Sequence, residues 1–107
     1  MLIYLSSPYR GDTEANTKLA QDFLRYAIAQ GHTAIAPHLL FTQVLDDDKP
    51  EERALAMELN RDLIAHADEV WVLCGRLSEG MAAEVVEASR QDKKIRFVSR
   101  SLLPPVV

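Results

Sequence analysis

The stretch Ser78-Glu79-Gly80-Met81-Ala82-Ala83-Glu84 carries the densest chemistry in the chain. It follows an apolar run, Glu69-Val70-Trp71-Val72-Leu73-Cys74, and opens a segment of helical composition. A small, glycine-containing turn between a strand and a helix leaves backbone N–H groups free, and these favour an anion. Glu84 falls about one turn inside the helix. Helical side chains lean toward the helix N-terminus, so Glu84 leans into the cleft where a ligand would lie. A carboxylate there can act as nucleophile, base or anchor for a sugar hydroxyl. The competing role is to complement the helix dipole. Its neighbours Ala82, Ala83, Val85 and Val86 are small or apolar, so its charge must face a polar cleft or solvent. Gly80 and Met81 belong to the same candidate binding turn, although the Met81 side chain, like that of Met57, has the character of a packing residue.

A second cluster is Ser6-Ser7-Pro8-Tyr9-Arg10-Gly11, which follows the first apolar run. Arg10 can hold a phosphate or carboxylate through two parallel hydrogen bonds. Tyr9 can stack on a base or cover a sugar. The alternative is an exposed turn in which Arg10 pairs with Asp12. The loop matches neither a dinucleotide-binding glycine pattern nor a P-loop. His38 follows Pro37 at another strand end, as a ligand contact or as a packed histidine. Tyr4 lies inside the first strand, either as a core residue or as a partner of Glu84 across the strand end. His32 and His66 are helix-end residues. Asp46-Asp47-Asp48 lacks the spacing of a calcium loop and is expected to be a solvated turn.

The elements that must position these groups follow from periodicity. Leu2 to Leu5 predicts a buried strand. A helix starts near Thr13, capped by Asp12, with Leu19, Ala20, Phe23, Leu24, Ala27 and Ile28 as its core face and Gly31 as its stop. Thr33 to Ala36 predicts a second strand. His38 to Asp48 is ambiguous between a short helix and an ordered loop. Pro50 starts a helix over about Glu51 to Ala65, whose apolar face is Leu55, Ala56, Leu59, Leu63 and Ile64. Glu69 to Cys74 is the third strand, Glu79 to Gln91 a helix, and Ile95 to Val98 the last strand. Alternating strands and helices predict an α/β fold, a parallel sheet of about four to five strands with helices on both faces. Ligands bind such sheets beyond the carboxyl ends of the strands. Ser6–Gly11, Pro37-His38 and Gly75–Gly80 converge there.

Size and composition bound the function. The 107 residues suit a single domain with one core. A net charge of -4 lacks the basic footprint of a nucleic-acid polymer binder. The single cysteine, Cys74, excludes an intrachain disulfide. No spaced Cys/His cluster marks a metal site, and nothing calls for a cofactor. The N-terminal apolar run is too short for a signal peptide or a membrane span, so a cytoplasmic protein is expected. The apolar tail over residues 101–107 carries two prolines. It, or an apolar helix face near it, is expected to pack on a second subunit.

The whole chain resembles the nucleoside 2-deoxyribosyltransferase-like superfamily, with its flavodoxin-like (Rossmann-like) fold, and is most similar to the small, mostly uncharacterised bacterial and phage members. The resemblance rests on Leu-Ile-Tyr-Leu-Ser-Ser-Pro-Tyr-Arg-Gly at the start, Ala-Pro-His-Leu-Leu-Phe-Thr-Gln in the middle, Ala-Asp-Glu-Val-Trp-Val, and Ser-Glu-Gly-Met-Ala-Ala-Glu, in that order. It implies a nucleoside or nucleotide ligand. It also implies that Glu84 attacks the anomeric carbon of the sugar, that Tyr4 orients it, and that Ser78, with Arg10, favours a 5′-phosphate. Relatives form dimers or larger oligomers, so a homo-oligomer is implied. One position departs from the family: where relatives carry an aspartate that assists the sugar and the leaving base, this chain has Asn60. An asparagine hydrogen-bonds but neither carries charge nor takes a proton. Two functions follow: a nucleotide N-glycosidase or deoxyribosyltransferase, or a non-catalytic nucleotide binder such as a phage-type sponge for a nucleotide signal.

Overall fold

The computed structural model describes residues 1–103. Four strands form one parallel sheet: β1 (Leu2–Ser6), β2 (Thr33–Ile35), β3 (Glu69–Leu73) and β4 (Lys94–Val98), in the order β2-β1-β3-β4. Three helices connect them: α1 (Thr13–Ala29), α2 (Pro50–His66) and α3 (Glu79–Arg90). The predicted α/β architecture is therefore the observed one.

Local chemistry sets the boundaries. Asp12 accepts the Ala15 N–H at 3.1 Å and caps α1. Past the end of α1, Gly31 has a φ of 88°, a conformation that favours glycine. Pro37 holds the preceding Ala36 in extended backbone and starts a 3₁₀ turn, Pro37–Leu39, so β2 ends a residue earlier than expected. A second 3₁₀ turn, Phe41–Gln43, resolves the ambiguous segment as an ordered loop. A third, Arg100–Leu102, follows β4. The expected subunit contact of the apolar tail falls partly on residues 104–107, which lie outside the described residues.

The core divides by strand parity, because alternate side chains leave opposite faces of a strand. Ile3 and Leu5 of β1, with Trp71 and Leu73 of β3, pack under Phe23 and Ala27 of α1. Tyr4, Val70 and Val72 pack on the other face under Ile64 of α2 and Met81 and Ala88 of α3. Ser6 shares parity with Tyr4, so both side chains of β1 emerge on the α2–α3 side. The chain passes from β1 to β2 on one side and returns to β3 on the other, so the switch point lies between β1 and β3. Ser6 and Val72 are register neighbours there.

The expected apolar face of α2 is only partly used. Ile64 is buried, whereas Leu55 is exposed, as is the neighbouring Met57. The C-terminal half of α2 packs on the sheet, and its N-terminal half borders a cavity instead. No helix among the described residues is long and apolar enough to cross a membrane.

Candidate functional site

Ser78 fixes the entry to α3. Its hydroxyl accepts the Met81 N–H at 3.1 Å, satisfying one of the free donors of the first helical turn. This sets the rotation of α3, and with it the direction of Glu84. Glu84 is 8% exposed, a carboxyl almost wholly withdrawn from water. Tyr4 donates its phenolic O–H to Glu84 Oε2. Ser6 donates its hydroxyl to Oε1 at 3.1 Å. The two residues of β1 that share one face therefore hold both carboxylate oxygens.

Electrostatics follow from that burial. The Glu84 carboxyl is pushed up to about 7 because burial penalises its charged form, while the Tyr4 and Ser6 hydrogen bonds pull it back down. Tyr4 is raised well above its ordinary value, chiefly by burial, then by the charge and hydrogen bond of Glu84. Near neutral pH Glu84 divides between a neutral acid and an oriented carboxylate.

A cavity of about 630 Å³ opens above Glu84. Glu84, Ser78 and Gly80 form the α3 side of its wall, and Asn60 stands on the α2 side. Tyr9, Arg10 and His38 border it from the loops after β1 and β2. Tyr9 and His38 stack with ring centroids 5.1 Å apart. Burial lowers the His38 imidazole, opposed by a hydrogen bond with the Ser7 backbone and by Asp47, which keeps that face of the pair aromatic and weakly charged. Phe41, Leu45, Ala56, Met57 and Val86 complete an apolar lining. An apolar chamber with a few converging polar groups is the usual form of a small-molecule site. Asn60 Oδ1 is buried and has no hydrogen-bond partner among the described residues. A ligand donor would satisfy it.

Several predicted contacts sit elsewhere. Ser6 is fully buried, and its hydroxyl serves Glu84 rather than the cavity. Ser7 is buried and does not line the cavity, and Met81 lies in the core between the sheet and α3. Met81 meets the site only through the backbone N–H that Ser78 accepts. Gly11 does not line the cavity but an adjoining, more open depression that shares Tyr9, Arg10 and Asp47 with it, and its φ of 98° makes the turn into α1. Arg10 is not free, nor does it pair with Asp12. Its Nε donates to Asp47 Oδ2 at 2.5 Å and its Nη2 donates to the Asp47 carbonyl at 2.7 Å. Sequence reasoning did not assign Phe41, Leu45 or Asp47 to the site: the apolar residues 39–45 signalled only an ordered segment, and the acidic triplet signalled a solvated turn rather than a partner for Arg10.

Comparison with known proteins agrees with this geometry at the level of fold. The chain shares the nucleoside 2-deoxyribosyltransferase-like fold. It is similar to a 2-deoxyribosyltransferase from Bacillus psychrosaccharolyticus, with 19% identity and a TM-score of 0.75, over 100% of this chain and 77% of that one. It is similar to a CMP N-glycosidase from Clostridium botulinum, with 19% identity and a TM-score of 0.63, over 92% of this chain and 71% of that one. A 2-deoxyribosyltransferase from Leishmania mexicana matches at 17% identity with a TM-score of 0.55, over 92% of this chain and 63% of that one. No curated protein matches the chain. Residues 1–98 match the model of a family described as a domain of unknown function, DUF7768, and the chain belongs to that family.

Proposed function

We propose that this protein binds a nucleoside 5′-monophosphate and cleaves its N-glycosidic bond, with Glu84 as nucleophile. The observation that supports this reading is the buried Glu84 carboxylate, held on one oxygen by Tyr4 and on the other by Ser6, at the wall of an apolar cavity. In the first step a Glu84 oxygen bonds the anomeric carbon as the bond to the base breaks, and the base departs with the bonding electron pair and takes a proton from solvent water. The product is a glycosyl ester of Glu84, formed through an oxocarbenium-like transition state. Water or a second base then attacks the same carbon, releases the carboxylate and gives hydrolysis or transfer. Tyr4 and Ser6 orient the nucleophile and keep part of it ionised. The Tyr9–His38 pair is a platform for the flat base. Ser78 and Arg10 take the phosphate.

Asn60 favours a second reading, a nucleotide binder without turnover. An amide at that position cannot exchange a proton with the leaving base. Likeness in fold to a CMP N-glycosidase makes CMP a natural member of a test panel. Incubation with nucleosides and their 5′-monophosphates, followed by chromatography, is expected to show free base from a monophosphate and none from Glu84→Gln. Saturable binding without base release from wild type would replace the enzyme by the binder. The proposal extends to assembly: a homodimer or larger homo-oligomer in which a second copy covers the apolar rim formed by Met57 and Val86.

A further inference from the structure

The loop after β1 offers an anionic ligand one guanidinium, and that guanidinium is already engaged. Asp47 takes Arg10 Nε on its carboxylate and Nη2 on its carbonyl. Asp48 Oδ1 stands 3.9 Å from the same Nη2. The field of Glu79 also acts on Arg10. Two carboxylates therefore flank one cation at the edge of the cavity, and the charge of a third adds to their field. Carboxylate and phosphate use the same planar fork of donors, so a phosphate arriving there competes with Asp47 for the same N–H groups. A doubly charged phosphate also meets net negative charge until a carboxylate withdraws.

Withdrawal is cheap. The Arg10 and Asp47 side chains are 51% and 31% exposed. An exposed ion pair of this kind shifts an equilibrium by no more than about fivefold. Asp47 sits in a turn with its own supports, since Asp48 N–H donates to Asp46 Oδ1 at 3.0 Å and Asp46 N–H donates to Glu52 Oε1 at 3.2 Å. Neither bond involves the Asp47 side chain, so Asp47 can turn to solvent while the turn stays intact.

We infer that Asp47 is an internal competitor for the ligand's anionic group and so determines how far this site prefers a phosphorylated ligand to its neutral counterpart. The inference rests on the reading that Arg10 meets the phosphate of a bound nucleotide. It makes Asp47 a specificity residue: the carboxylate fills the anion position when the ligand carries none, and it lowers phosphate affinity when the ligand carries one.

Titration calorimetry on the intact chain tests this with three probes: ribose 5-phosphate, which carries the anion without a base, and the pair CMP and cytidine. Asp47→Asn keeps the shape and removes the competing charge. It is expected to tighten ribose 5-phosphate and CMP about two- to fivefold, with cytidine moved less. In an Arg10→Ala background the same substitution is expected to give no gain. Four results overturn the inference: equal or weaker phosphate binding by Asp47→Asn, a gain that persists without Arg10, an equal gain for cytidine, or no ribose 5-phosphate binding to either protein at millimolar concentration. If Asp47 served only to tie the two loops together, Asp47→Asn would lower the melting temperature and weaken all three probes alike, which also overturns it. Absence of base release from wild type, with the Asp47→Asn gain present, would sink the glycosidase chemistry and leave this inference standing.

Discussion

Glu84 ties the proposed chemistry to stability through one buried proton. Its folded value of about 7 lies above the ordinary 4.5, so between those pH values the folded protein keeps a proton that the unfolded chain has released. Stability is therefore fullest below the lower value and falls as pH rises through the upper one, by roughly 3 kcal/mol in total. Glu84→Gln, which carries no titrating proton, is expected to flatten that slope; urea melts from pH 5 to pH 8 would show it, and an unchanged slope would place the proton elsewhere. In the proposed mechanism the nucleophile is the ionised form, so base release is expected to rise with pH through about 7. Tyr4→Phe removes a hydrogen bond that lowers Glu84 while keeping the ring in the core. The rising limb of kcat/KM is then expected to move to higher pH. A limb that stays in place would mean that Tyr4 only packs.

At the scale of elements, the site is the meeting of one strand and one helix start. β1 supplies Tyr4 and Ser6 at two-residue spacing, and α3 supplies Glu84 at a rotation that Ser78 sets. Ser78 can do two jobs, because accepting the Met81 N–H leaves its own O–H free to donate. Ser78→Ala loses both and is expected to cost about 1 kcal/mol of stability. Ser78→Asp keeps the cap and suits the helix dipole, but it sets a negative charge where a phosphate would lie. It is expected to preserve stability while weakening the monophosphate more than the nucleoside, by thermal melts and titration. Equal weakening of both ligands would remove Ser78 from the phosphate site. These elements were legible because they are local. An unbroken apolar run marks β3, Asp12 and Gly31 bracket α1, and Ser78 opens α3. The face of α2 was not legible, since its 3.6-residue period shows an apolar stripe but not what covers it; Ile64 meets the sheet while Leu55 stays in water. The pairing of Arg10 with Asp47 crosses 37 positions and rests on two irregular loops, so no periodicity encodes it. Helix lean alone pointed Glu84 at the cleft, whereas Tyr4, inside its strand, read equally as a core residue and gained its role beside Glu84 only through the family resemblance.

On the scale of the whole molecule, the cavity is walled on the sheet side and open between α2 and α3. Met57 and Val86 are 46% and 60% exposed on that opening, and both line the cavity. Phe97 is 54% exposed on β4, at the sheet edge. Its register with Val72 puts it on the α2–α3 face as well. Apolar groups gathered at the rim of a chamber mark an interaction surface, and burying them against a second copy removes the cost of hydrating that area. Arg61 and Arg90 both reach Glu87 beside them, at 3.0 and 3.4 Å, which gives the apolar rim a charged border typical of an interface. Closed twofold pairing is the commonest way to cover such a surface. Light scattering at micromolar concentration is expected to give twice the chain mass. Met57→Asp with Val86→Asp is expected to return a monomer that still melts cooperatively, since neither side chain is in the core. Deleting residues 102–107 separates the helix rim from the tail: a dimer that survives the deletion assigns the contact to α2 and α3, and one that is lost assigns it to the tail. A monomer from the unaltered chain would reject both.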